Sequence, residues 1–136
     1  MFCKKISFCI LSFLISTHIY CVTIIYASTL GCASELSIAD PTGTTVILDV
    51  NLTISPTCPL TLMGNSGDLT FTASGGQQLI IAQSAQWDIA SLQKPNTLFF
   101  AGNAQLVMQP GAQLLADQST GINIIFQDDT TWSVAP

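Results

Sequence analysis

From residue 44 onward the chain alternates apolar and polar residues in short runs. The clearest runs are four hexamers: NLTISP at 51–56, QLIIAQ at 78–83, QLVMQP at 105–110 and TWSVAP at 131–136. Their second positions are Leu52, Leu79, Leu106 and Trp132, and their fourth positions are Ile54, Ile81, Met108 and Val134. Positions one and five are mostly polar or small. That period of two marks a strand with one face buried, so these eight residues are the expected core columns. Pro56, Pro110 and Pro136 close three of the hexamers. Proline cannot donate to a ladder and ends a strand there.

The hexamers start 27, 27 and 26 residues apart, and the alignment extends to both sides without gaps. Downstream, Leu60, Trp87 and Leu114 share a column, and Leu62, Ile89 and Ala116 share another. Upstream, Phe71, Leu98 and Ile124 align with Thr44, and Val46, Ala73, Phe100 and Phe126 form a parallel column. Between upstream strand and hexamer stand Asp49, Gly76, Asn103 and Asp129, residue types that tolerate left-handed backbone. A tight turn repeated once per copy requires such a column. Each copy therefore holds about three short strands and one turn, and cannot bury its apolar face alone. Stacking the copies buries a continuous core, with equivalent residues roughly 4.8 Å apart. The expected fold is all-β, a parallel β-helix (solenoid) of about four rungs of 26–27 residues over 44–136, its last rung incomplete. Residues 28–43 read as a lead-in or cap. A small antiparallel sandwich also has many short strands, but does not require the same turn residue type in every copy.

The first segment follows a different pattern. After Lys4 and Lys5 comes an apolar stretch without a charge, and small residues follow it at Ala27, Gly31 and Ala33. This is the layout of a secretory signal, expected to be helical over residues 1–27 and cut after Ala27 or Ala33. The expected product is exported. An uncleaved anchor is the alternative, because the run from Ile6 to Leu30 exceeds the roughly 20 residues that span a bilayer. A lipoprotein signal at Cys32 fits poorly, because Leu30 stands two residues before the cysteine rather than three.

Charge narrows the chemistry. Without residues 1–27 the chain keeps eight acids and the single base Lys94, a formal charge of −7. It lacks the basic footprint of a nucleic-acid binder. The only histidine, His18, lies in the leading segment, so a serine triad or a Cys-His pair has no base. Lys94 reads as a loop lysine. The paired acids Asp128 and Asp129 would point to opposite faces of a strand, Asp129 already has a place in the turn column, and calcium on oxygens of Asp117, Asp128 or Asp129 is only a minor alternative. No catalytic residue, cofactor or metal site is expected. Cys32 and Cys58 form an even pair suited to a disulfide in an oxidising compartment. Trp87 and Trp132 occupy leucine columns and are expected in the core rather than on a sugar-binding surface. The sequon Asn51-Leu52-Thr53 coincides with a strand start and reads as chance.

The repeat resembles the right-handed parallel β-helix of bacterial surface proteins, autotransporter passengers and adhesins above all. Phe100-Ala101-Gly102-Asn103 matches the FxxN spacing of chlamydial polymorphic outer-membrane proteins, while Gly75-Gly76-Gln77 departs from their GGA motif. The resemblance covers roughly residues 44–136 and implies a non-catalytic structural or adhesive module of a cell surface, or a passenger fragment. The alternative is a carbohydrate-directed β-helix, either a binding module or a degraded polysaccharide lyase or glycosidase. Because the fourth copy stops at its hexamer, self-association, or a protein partner covering that rung, is expected, with a glycan as another candidate ligand.

Overall fold

The computed structural model describes residues 6–10, 20–37, 43–63, 67–89, 97–116, 123–127 and 131–134. Fourteen strands are found among them: β1 (Ile6–Ile10), β2 (Tyr20–Tyr26), β3 (Ser34–Ser37), β4 (Thr44–Ile47), β5 (Leu52–Ile54), β6 (Leu60–Met63), β7 (Leu69–Ala73), β8 (Gln78–Ile81), β9 (Gln86–Asp88), β10 (Thr97–Gly102), β11 (Gln105–Met108), β12 (Gln113–Leu115), β13 (Asn123–Phe126) and β14 (Thr131–Val134). One 3-10 turn, Ala27–Thr29, is the only helical element among the described residues.

The chain visits three groups of parallel strands in rotation. The largest sheet runs β1-β2-β4-β7-β10-β13, parallel throughout except for the antiparallel β1–β2 pair at its edge. The second runs β5-β8-β11-β14, and the third face consists of two separate pairs, β3-β6 and β9-β12. All of these ladders are parallel, which rules out the antiparallel sandwich.

The core lies between the sheets and is built from the inward alternate residues. In β7 the inward residues Leu69, Phe71 and Ala73 are buried, and Thr70 and Thr72 between them are half-buried. In the second sheet Leu52 pairs with Leu79, Leu79 with Leu106 and Leu106 with Trp132, keeping the hexamer register. Leu79, Leu106, Ile54 and Ile81 are buried, and Leu52 and Met108 pack against them half-buried. Val134, on the edge strand β14, is 59% exposed. Trp87 is buried at 1% exposure, its ring edge-to-face on Phe71 with centroids 5.9 Å apart.

The largest sheet departs from the constant spacing. Thr44 pairs with Leu69 rather than Phe71, an offset of 25 residues, and Leu69 pairs with Leu98, an offset of 29. Val46, Phe71, Phe100 and Phe126 therefore form one column, and Ala73 stands opposite Gly102. The reason is the pleat. A slip of two residues keeps every inward side chain inward, so the apolar pattern does not detect it.

The leading segment also differs from expectation. Ile6–Ile10 and Tyr20–Tyr26 are strands, not parts of a helix, and no described helix is long and apolar enough to cross a membrane. Val22-Thr23-Ile24-Ile25 is a β-branched run suited to a strand. It pairs with β4, placing Ile25 opposite Val46. Parallel stacking thus begins in β2, at Thr23, rather than at residue 44, and the largest sheet has five parallel strands. Residues 34–37, expected in a lead-in, form β3 and pair with β6. Lys4, Lys5 and His18 lie outside the described residues.

Candidate functional site

The first repeat is tied to the second by chemistry at its turns. Cys32 follows the 3-10 turn, and Cys58 stands in the tight turn where Ser55 and Cys58 exchange backbone hydrogen bonds of 3.1 Å. Their sulfurs are bonded at 2.06 Å, with Cα atoms 4.6 Å apart. An open cavity of about 140 Å³ adjoins the bond, lined by Leu30, Ser34, Leu52 and Leu60 among others. Nearby, the Ser28 backbone N–H donates to Asp49 Oδ1 at 2.9 Å, and the Ser28 hydroxyl donates to Asp49 Oδ2. The hydroxyl bond is the main reason that the Asp49 carboxyl sits below its ordinary value. Burial opposes it slightly, and the backbone amides of Ser28, Asp49 and Val50 add to it.

The expected turn column is corrected at two places. Gly76 has φ +75°, but neither Asp49 nor Asn103 has a positive φ; the left-handed residue beside Asn103 is Gly102, at φ +61°. A Cβ at residue 102 would lie 2.8 Å from the Ala73 carbonyl oxygen, so close passage of the preceding repeat demands glycine there. Asn103 instead donates its backbone N–H to Ala73 O at 3.0 Å and its side-chain amide to Ser74 O at 3.4 Å. Asp49 is bound to Ser28. Asp129 lies outside the described residues. A second left-handed column, Ser84 and Gly111, escaped sequence reading, although the two residues stand 27 apart between hexamer and third strand.

The outward side chains form amide ladders. Gln78 Nε2 donates to Gln105 Oε1, and Gln86 Nε2 donates to Gln113 Oε1, each at 2.9 Å. Side-chain oxygens also replace missing backbone partners one repeat away: Asn51 Oδ1 accepts from the Gln78 N–H, Gln109 Oε1 from Gln83 and Asp68 Oδ1 from Thr97. Asp49 and Asp68 thus bind backbone amides. Among the described residues no three of His, Cys, Asp and Glu are placed to hold a metal ion. Lys94, Asp117 and Asp128 lie outside the described residues. The Trp87 indole N–H is buried without a hydrogen-bond partner, so this ring serves by packing. Trp132 holds its register place opposite Leu106.

The third face has a seam. The pairs β3-β6 and β9-β12 do not join into one sheet, and between β6 and β9 lies a cleft of about 190 Å³ lined by Pro59, Leu60, Thr61, Leu62, Gln86 and Asp88.

No family model, curated protein or solved structure matches this chain.

Proposed function

We propose that the chain is a parallel β-solenoid, exported from a bacterial cell, that acts as a non-catalytic structural or adhesive module of the cell surface. The Gln78–Gln105 and Gln86–Gln113 ladders support this reading best. They repeat one amide pairing on outer faces, which stiffens a stack without creating a reactive group. The acids Asp49 and Asp68 hold backbone amides instead of facing a substrate. The test is to express the full chain with a C-terminal epitope tag in a Gram-negative host. Intact cells should bind the antibody and be retained on protein- or glycan-coated surfaces more than control cells. Tag accessible only after lysis, with no change in retention, would overturn the reading.

A carbohydrate-directed module is the second reading, favoured by the cleft between β6 and β9 with Thr61, Gln86 and Asp88 at its walls. Glycan-array binding by the purified chain that is lost in Gln86→Ala would establish it over the first.

A further inference from the structure

The segment with the composition of an export signal is also part of the folded core. β2 continues the largest sheet, pairing Thr23 with Thr44 and Tyr26 with Ile47 in parallel register. Thr23, Ile25 and Ala27 are 5%, 5% and 2% exposed. Opposite them Val46 is completely buried, and β4 would present an open edge and an uncovered Val46 if β2 were absent.

The bond after Ala27 is held equally firmly. The Ala27 carbonyl accepts from the Leu30 N–H at 3.0 Å, and the Tyr26 carbonyl accepts from the Thr29 hydroxyl at 2.6 Å. Ser28, on the far side of the bond, is anchored to Asp49 through both its backbone and its hydroxyl. Five residues later the chain is fixed again by Cys32–Cys58. Proteases cut exposed, locally mobile segments that can enter their clefts extended. Here Ala27 is buried, and Ser28, although exposed, is held in a one-turn helix by hydrogen bonds from both its backbone and its hydroxyl.

We propose that the β4 edge is an acceptor for an extended apolar strand, that the chain's own export signal occupies it, and that folding thereby withdraws the Ala27–Ser28 bond from processing. The proposal rests on the export reading. The occupant of the acceptor is Tyr20–Ser28, retained in the folded product. The signal serves first as an address, read while the chain is unfolded, and then as the first parallel strand of the stack. Cleavage after Ala27 would remove that strand and leave Ser28, the partner of Asp49, as a free chain end, so cleavage and folding compete for one segment.

The experiment has two readouts on the full chain. The intact mass of the exported protein reports whether residues 20–28 remain, and hydrogen exchange of the purified chain reports whether the amides of 23–28 are held. The expected result is a product that begins upstream of Tyr20, with exchange at 23–28 slowed at least a hundredfold relative to an unstructured peptide. A folded, exported product beginning at Ser28 would overturn the proposal, as would fast exchange at 23–28 in an otherwise protected chain. A chain that stays in the cytoplasm yet shows slow exchange keeps β2 as a strand and places the failure on the export reading. Asp49→Ala leaves the signal itself unchanged. It should speed exchange at Ser28 and raise the share of product cut after Ala27 several-fold. Unchanged exchange and an unchanged cut share would count against the anchor.

Discussion

The rings of Phe71 and Phe100 stack face to face, centroids 5.6 Å apart and planes 17° from parallel, although 29 residues separate them. Phe100 stacks in turn on Phe126 at 5.1 Å, so three aromatic rings run through successive repeats. Phe100, completely buried between the other two, is the middle of this pile. Phe100→Ala should cost about 3–5 kcal/mol, because it removes buried surface and leaves a cavity bordered by two rings that cannot both move in. Denaturant unfolding of the purified variant checks this. A loss below about 1 kcal/mol would show that the column does not carry the core.

Neighbouring residues in β8 should behave oppositely. Leu79 is completely buried, and Leu79→Asp puts an unpaired charge among aliphatic side chains, which should unfold the domain. Gln78 is half-exposed, and its amide is bonded to Gln105. Gln78→Asp loses that bond, but the new carboxylate can accept from the reoriented Gln105 amide, so the cost should stay near 1 kcal/mol. Circular dichroism melts of the two variants check the contrast, and equal melting would reverse the inward and outward assignment.

The Cys32–Cys58 bond joins residues 26 apart in sequence. Closing a loop of that length restricts the unfolded chain and should contribute about 3 kcal/mol. Thiol labelling of the oxidised protein should find neither cysteine free, and Cys58→Ser should lower the melting temperature by an amount that reductant reproduces in the parent. Labelling at both positions in the untreated protein would sink the idea.

Acid should loosen the join between the first repeat and the next. The folded-state value of Asp49 is lowered, chiefly by the Ser28 hydroxyl. A lowered value means that the unfolded chain takes up the proton first. Stability from this group is therefore complete above the ordinary carboxylate value and is lost as pH falls through it and below. Melting temperatures measured between pH 6 and pH 2.5 should fall more steeply in the parent than in Asp49→Ala. Parallel curves would remove Asp49 from the acid response.

What was legible in the sequence depended on whether spacing carried the information. The second sheet was legible because its hexamers hold one register: Leu52, Leu79 and Leu106 follow each other at a constant 27. In the largest sheet an interval of 25 is followed by one of 29, so the sum hides the slip, and Leu69, Phe71 and Ala73 offer three interchangeable inward positions. The turn at Gly102-Asn103 was placed one residue late, because either residue type tolerates the left-handed region and only the approach of Ala73 decides between them. β2 was hidden for another reason. An uninterrupted apolar run has no period, so a buried strand and a signal helix look alike in it.

The seam between β6 and β9 interrupts the lacing of the third face. The third face carries the β3–β6 and β9–β12 ladders, but among the described residues no pairing joins β6 to β9, so there only the β4–β7 and β5–β8 ladders link the strands on either side. The interruption leaves a crease, closed on two sides and unlaced on the third: parting the strands here breaks two ladders, whereas parting β7–β9 from β10–β12 breaks three.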